Sequence, residues 1–284
     1  MGNSDNFNLR VTDKEYNALK DIMYARTGVL LKPTKKPLIL TRLRKRLEEL
    51  NIKRFMEYVP LLEDKRSSEI EIFVNALTTN ETYFFRHTKQ FNFLFEKIFP
   101  EIIETRRAEG RREIKIWTAA CSTGEEPYSI AIACREFFFK HPGWGVKICA
   151  SDVNSDVLAF AKEGKYSERS LKEVPETMVK KYFREMDFDN KKKWQSFALS
   201  DEIKKMVDFY QHNLLKPFVQ KGFDVIFLRN VMIYFDNESK QKVVSNIQNN
   251  LITGGYFFIS LSESLSDVNS QLEGIRSGIY QKVK

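Results

Sequence analysis

A chain of 284 residues with 42% apolar, 30% charged and 13% aromatic residues carries enough apolar material for one large or two unequal folded domains, and disordered or collagen-like classes are excluded. No stretch approaches the ~20 apolar residues that span a bilayer, and the first ten residues lack the apolar core of a signal peptide, so a soluble intracellular chain is expected. The formal net charge of +8 is concentrated, with nine basic and two acidic residues between Lys32 and Arg54.

The first block, to about Arg86, predicts a small helical bundle. Thr12 and Glu15 form a capping-box pattern, Tyr16, Leu19, Ile22 and Met23 follow at helical spacing, and Gly28 stops the run. A second helix is expected from a Thr34 cap to about Asn51, with Pro37 in its first turn and Leu40, Leu43, Leu47 and Leu50 on its buried face. Helical geometry then places Lys35, Arg42, Lys45 and Arg46 on the opposite face. That face is either solvated or a partner surface, and four cations in the most basic segment favour the partner. Two shorter helices follow, around Phe55 to Glu63 and Ser68 to Leu77.

A further apolar-periodic helix is expected from Phe91 to about Arg107, closed by Ala108-Glu109-Gly110. The pattern then changes to short apolar runs at Ile114 to Ala119, Val146 to Ala150, Asp224 to Leu228 and Tyr256 to Leu261. Helices are expected between them at about Pro127 to Lys140, Ser155 to Lys162 and Ser239 to Leu251. This alternation predicts an α/β domain with a mostly parallel sheet, to which residues 278–283 could add an edge strand. Residues 164–208 are too long for a loop and are expected to form an inserted subdomain of short antiparallel strands, built from Trp194, Phe197 and Leu199 and then from Met206, Val207 and Phe209.

The three cysteines, Cys121, Cys134 and Cys149, cannot build a disulfide framework, and His87, His141 and His212 lack metal-ligand spacing, so no metal is expected. The first strand runs into small residues, Thr118 to Gly124, ahead of a helix whose first residue is expected at Pro127. The second strand ends at Ser151-Asp152, where an open α/β sheet places an acid that binds the ribose hydroxyls of an adenosine ligand. A tight turn with an N-capping aspartate would leave the same pattern. Glu125 and Glu126 at the helix start would repel a pyrophosphate and tolerate a cation, which tilts the choice toward S-adenosylmethionine, although acids at a helix start are also ordinary dipole partners.

Four motifs, Asn80-Glu81-Thr82-Tyr83-Phe84-Phe85-Arg86, Ser122 to Ser129, Ala150-Ser151-Asp152, and Arg229-Asn230-Val231-Met232-Ile233-Tyr234-Phe235, occur in an order that resembles the chemotaxis protein-glutamate O-methyltransferases of the CheR family over almost the whole chain. The resemblance implies a class I S-adenosylmethionine-dependent, Rossmann-like methyltransferase domain over 113–284 with a β-subdomain inserted near 164–208. It also implies an all-α N-terminal receptor-contacting domain over 1–86 and a linker helix over 87–112. Carried over residue by residue, it assigns Asn80, Thr82 and Arg86 to the methionine end of the cofactor, Glu125 to the pocket wall and Asp152 to the ribose. Asn213 and Leu214 would flank the adenine, with Asn230 and Val231 beneath the cofactor. Arg86 and Tyr234 become candidates for orienting the acceptor carboxylate, and no general base is expected.

The expected reaction converts glutamate side chains of methyl-accepting chemotaxis receptors to methyl esters, with S-adenosylhomocysteine as the other product. The expected partner is the receptor's acidic cytoplasmic helical bundle, met by Lys35, Arg42, Lys45 and Arg46, with neither nucleic acid nor membrane insertion involved and a monomer anticipated. Location would be cytoplasmic, with recruitment to receptor arrays. Residues 190–195, with Lys191, Lys192 and Lys193, give no clear sign of a site for a receptor tail. Competing readings are a nucleic-acid methyltransferase, a methyltransferase for another protein, and a non-catalytic S-adenosylmethionine-binding signalling scaffold. Asn230-Val231-Met232-Ile233 departs from the Asn-Pro-Pro-Tyr type of motif used on base amines, and no aromatic stacking pair accompanies the basic helix.

Overall fold

In a computed structural model describing residues 9–188 and 194–283, Thr12 and Glu15 cap the first helix, α1 (Asp13–Thr27), reciprocally. The Glu15 amide donates to Thr12 Oγ1 at 3.3 Å, and the Thr12 amide donates to Glu15 Oε2 at 2.9 Å. Gly28 ends α1 in the left-handed region, φ 74°, where its missing Cβ removes the steric penalty.

The second helix starts later than expected. A 3₁₀ turn, Pro33–Lys35, precedes α2 (Lys36–Glu49), so Lys35 rather than Thr34 occupies the cap position and Pro37 falls in the first turn. Its buried residues are Ile39, Leu43 and Leu47, while Leu40 and Leu50 are half-buried. The strict i, i+4 stripe, not the looser leucine pattern, faces α4. Helices α3 (Phe55–Glu63) and α4 (Glu69–Leu77) complete the bundle, with Phe55, Tyr58 and Phe73 fully buried.

Arg42 and Arg46 do not lie on an open basic face. Arg42 Nη1 donates to the carbonyls of Ala76 and Thr78, at 3.2 and 2.6 Å, satisfying groups that the end of α4 leaves unpaired. Arg46 pairs with Glu69 through two nitrogens and with Glu49 at 3.1 Å, while the buried Glu69 also accepts from Tyr58 Oη at 2.9 Å. Exposed positive charge in this segment is carried instead by Lys32, Lys35, Arg44, Lys45, Lys53 and Arg54. The reason is geometric: residues 42 and 46 flank the 39/43/47 stripe, so their long side chains reach α4.

The chain divides into two units. The helical unit contains the described residues up to Thr79 together with Tyr234–Lys240. Within it the Leu30 amide donates to the Tyr234 carbonyl at 2.8 Å, Val29 bridges Phe235, and Tyr24 Oη donates to Asp236 at 2.8 Å. The second unit holds Asn80–Ile233 and the remainder of the chain.

This second unit opens with three consecutive helical pieces, α5 (Thr88–Phe93), a π-helical turn (Leu94–Ile98) and α6 (Phe99–Ala108), where one uninterrupted helix was expected. Pro100 has no amide hydrogen and crowds the carbonyl four residues earlier, which accounts for the wider turn. The main elements that follow are β1 (Glu113–Ala119), α7 (Glu125–Phe138), β2 (Gly145–Asp152) and α8 (Ser155–Glu163). Then come β3 (Lys165–Ser167), α9 (Glu176–Tyr182), β4 (Phe183–Glu185), β5 (Ser196–Leu199) and α10 (Asp201–Lys204). The chain ends with β6 (Val207–Gln211), β7 (Phe223–Leu228), α11 (Asn237–Asn250), β8 (Leu251–Phe258), β9 (Leu272–Arg276) and β10 (Ile279–Lys282).

The seven-stranded sheet has the order β6-β2-β1-β7-β8-β10-β9. Its first five strands are parallel, and β10 runs antiparallel to both neighbours. Every residue of β7 is buried, as a parallel strand covered on both faces requires. Buried Arg106 of α6 pairs with Asp224 at the start of β7, and the other Asp224 oxygen accepts the Lys115 amide at 2.8 Å, anchoring the edge of the sheet opposite the strand C-termini.

Four expectations shift. Helix α7 begins at Glu125, not Pro127, because Gly124 supplies the cap. Residues 207–211 form a parallel strand of the main sheet beside β2, so the inserted antiparallel sheet, order β3-β5-β4, ends before them. The C-terminal strand β10 is internal, and the edge is β9, whose single buried residue, Leu272, left no alternation to read. The strand expected at Tyr256 to Leu261 begins earlier and ends at Phe258. Among the described residues no helix is long and apolar enough to cross a membrane. Residues 190–193, with their lysine run, lie outside the described residues.

Candidate active site

Strand β1 has β2 on one side and β7 on the other, so the loops after these strands diverge at the C-terminal edge of the sheet, where open α/β folds form their ligand crevice. The loop after β1 is tightly wound. Ala120, Ser122 and Gly124 all have positive φ, at 57°, 51° and 94°. The Cys121 amide donates to the Ser151 carbonyl at 2.9 Å and the Gly124 amide to the Cys121 carbonyl at 3.1 Å. A Cβ on Gly124 would lie 2.8 Å from Ala161 Cβ and 2.9 Å from Tyr166 Oη, so α8 and the inserted sheet close around this glycine. Cys121 itself is buried, and its thiol is held well above its ordinary range by that burial and by neighbouring Asp152, which suits packing and not nucleophilic attack.

Asp152 ends β2 and is 7% exposed. One carboxylate oxygen accepts the Ser122 amide at 2.8 Å and the other the Asn154 amide at 3.0 Å. The side chain is thus locked against the loop after β1, while each oxygen keeps a further lone pair for a ligand hydroxyl. Burial raises its pKa despite those bonds. Asn154 does the capping of α8, accepting from the amides of Asp156 and Val157, so Asp152 is not spent on the cap.

Glu125, the first residue of α7, is 3% exposed, accepts from Thr123 Oγ1 at 2.6 Å and has its pKa raised by burial. Glu126 pairs with buried Arg229 at 2.9 Å. Asn80 and Arg86 belong to the same unit: the Asn80 carbonyl accepts from Ser122 Oγ at 3.0 Å, while Arg86 Nη1 donates to the Glu81 carbonyl at 2.9 Å. The Arg86 carbonyl receives a bond from Arg229, and Thr82 is half-buried between these anchors in sequence.

After β6, Asn213 Oδ1 accepts the Leu215 amide at 3.0 Å, a turn built on an Asx side chain, and buried Leu214 is held by Asn246 Nδ2 on its carbonyl at 2.9 Å. Directly beyond β7, Asn230 adopts φ 61° and donates Nδ2 to Ser260 Oγ at 2.9 Å, and Val231 is half-buried. Glu263, absent from the sequence reading, organises this loop by accepting the amides of Asn230, Met232 and Ser260 at 3.0, 2.9 and 2.9 Å. An acid just past a buried strand on the ligand edge was the available signal. Tyr234, Lys35, Arg42, Lys45 and Arg46 belong to the helical unit. No cluster of three or more His, Cys, Asp or Glu suited to a metal occurs among the described residues.

The residue set fits an adenosine ligand with a cationic end: a buried carboxylate for hydroxyls, a loop too tight for larger side chains, and acids where a phosphate site would present amides and a lysine. With its parallel sheet, antiparallel extension and inserted β-subdomain, the second unit has the architecture of a class I S-adenosylmethionine-dependent methyltransferase.

Comparison with known proteins agrees. Residues 80–280 match the family described as CheR methyltransferase, SAM binding domain, and residues 14–78 match CheR methyltransferase, all-alpha domain. A chemotaxis protein methyltransferase of Borreliella burgdorferi is 37% identical, covering 99% of this chain and 98% of its own. Chemotaxis protein methyltransferase 2 of Vibrio cholerae is 36% identical over 92% of this chain and 88% of its own, and chemotaxis protein methyltransferase 1 of Pseudomonas aeruginosa is 34% identical over 90% and 93%. The chain belongs to the CheR methyltransferase family.

Proposed function

We propose that this protein transfers the methyl group of S-adenosylmethionine to glutamate side chains on the cytoplasmic helical bundle of chemotaxis receptors. The observation that carries the reading is the buried Asp152 carboxylate, bonded to the loop after β1 at the C-terminal edge of the sheet. Bound S-adenosylmethionine would supply a methyl group on a positively charged sulfur, which a glutamate oxygen takes while the C–S electron pair remains on sulfur. In this assignment Asp152 accepts the ribose hydroxyls, Asn213 and Leu214 flank the adenine, Asn230 and Val231 support the cofactor, and Asn80, Thr82, Arg86 and Glu125 line its methionine end.

A glutamate acceptor is already ionised at neutral pH, so the residues need only align it and exclude water, and no proton moves. Arg86 and Tyr234 are assigned to that alignment. Lys35 and Lys45, exposed on the helical unit, present the charge that steers an acidic receptor surface, whereas Arg42 and Arg46 hold α2 against α4.

The test is transfer from methyl-labelled S-adenosylmethionine to membranes carrying chemoreceptors, followed by mild alkali. Label released as methanol from receptor bands is the expected result. Alkali-stable label would indicate methylation at nitrogen, and cofactor binding without label on any protein would favour the scaffold.

A further inference from the structure

We propose that the buried Glu126–Arg229 pair is a positioning clamp that fixes Arg86 for the methyl acceptor, joining three motifs that lie far apart in the chain. Arg229 directly follows β7, and Glu126 is the second residue of α7, so both come from rigid elements. Their side chains are 2% and 13% exposed. One Arg229 nitrogen, Nη1, bonds Glu126 Oε2 at 2.9 Å and the other, Nη2, donates to the Arg86 carbonyl, while the guanidinium lies 6.0 Å from the Phe91 ring. A planar guanidinium can serve two acceptors in a fixed geometry, which a lysine ammonium cannot do in the same way.

The backbone it grips needs holding. Phe85 and His87, on either side of Arg86, have φ of 54° and 63°, a region that bulky side chains enter only when their surroundings impose it. A second hold comes from Ser129 of α7, whose Oγ accepts the Phe85 amide at 2.8 Å and donates to the Glu125 carbonyl at 2.6 Å. Burial works against both charges of the clamp, raising Glu126 and lowering Arg229, and each partner opposes the other's shift. Neither residue is needed to contact cofactor or acceptor; they act through Arg86, so the inference rests on the assignment of Arg86 to the acceptor carboxylate.

The test compares Arg229→Lys, Ser129→Ala, Arg86→Ala and the two doubles with Arg86→Ala, all in the full chain. Receptor methylation kinetics, calorimetric S-adenosylmethionine affinity and thermal stability are measured together. Arg229→Lys is expected to lower kcat about 10- to 100-fold, as displacement of a positioning group does, and to weaken cofactor affinity by no more than Arg86→Ala does. Ser129→Ala, a milder change that keeps the pair intact, is expected to lower kcat by roughly three- to tenfold. Neither should reduce kcat further once Arg86 is alanine. Full kcat in Arg229→Lys and Ser129→Ala beside a defective Arg86→Ala would overturn the clamp alone, as would losses that multiply in the doubles. Full kcat in Arg86→Ala would overturn the acceptor assignment and the clamp with it.

Discussion

At the scale of single residues, Asp152 holds the loop after β1 through the Ser122 amide, and in the proposed site its remaining lone pairs would serve the ligand. Asp152→Ala should weaken S-adenosylmethionine binding by roughly 10- to 100-fold, the worth of hydrogen bonds to a charged group, and should also lower the melting temperature. Unchanged calorimetric affinity would remove Asp152 from the site. Burial raises the pKa of Asp152 and Glu125 above their ordinary values of 3.8 and 4.5, which gives a signed pH dependence. The folded protein holds these protons when the unfolded chain has lost them, so their stabilising contribution is full below the ordinary values and is lost as pH rises through the raised ones. A ligand that bonds ionised Asp152 and brings a cation toward Glu125 favours deprotonation, so binding should tighten as pH rises across the same window and release protons. Calorimetry in two buffers of different ionisation enthalpy reads this directly, and no proton release together with a flat affinity profile would refute it.

At the scale of elements, α2 shows how a basic segment can serve structure before recognition. Arg46→Ala strands the buried Glu69 carboxylate and should destabilise the helical unit by about 1–3 kcal/mol, less than a fully buried pair because the Arg46 side chain is 28% exposed. Thermal melts of the full chain read this, and a melting temperature equal to the parent's would show that Glu69 is solvated. Lys35→Glu with Lys45→Glu should leave the melting temperature almost unchanged and raise KM for receptor. In the loop after β1, Gly124→Ala meets both a left-handed backbone and a 2.8 Å approach to Ala161, so it should cost more than about 1 kcal/mol and reduce cofactor affinity. Wild-type stability and affinity in that variant would mean the loop relaxes freely.

At the scale of the molecule, encounter with an acidic receptor bundle would depend on the concentration of positive charge in one segment of a chain of net charge +8. Raising ionic strength from about 0.05 to 0.5 M should therefore raise KM for receptor membranes, with kcat and cofactor affinity nearly constant, because exposed charges are screened and buried pairs such as Arg106–Asp224 are not. A salt-independent KM would assign docking to apolar contact.

What the amino-acid order determined by itself was local or repetitive. The Thr12 to Gly28 helix follows from a capping box and a glycine stop, the parallel strands from runs too apolar to face water, and the loop between Cys121 and Gly124 from small residues followed by acids. The placement of Asp152 and Asn230 at strand ends follows from the same runs. The family motifs were legible because each is contiguous. Tertiary structure decided what depends on partners distant in the chain. Arg42 and Arg46 read as a surface until α4 supplied carbonyls and a carboxylate, and β6 read as part of an insertion until β2 offered it a parallel edge. Glu263 and the Glu126–Arg229 pair gained their roles only when loops after different strands met at one edge of the sheet. Periodicity reports which face of an element avoids water, but long polar side chains choose their partners by reach, and reach is set only when the elements have packed.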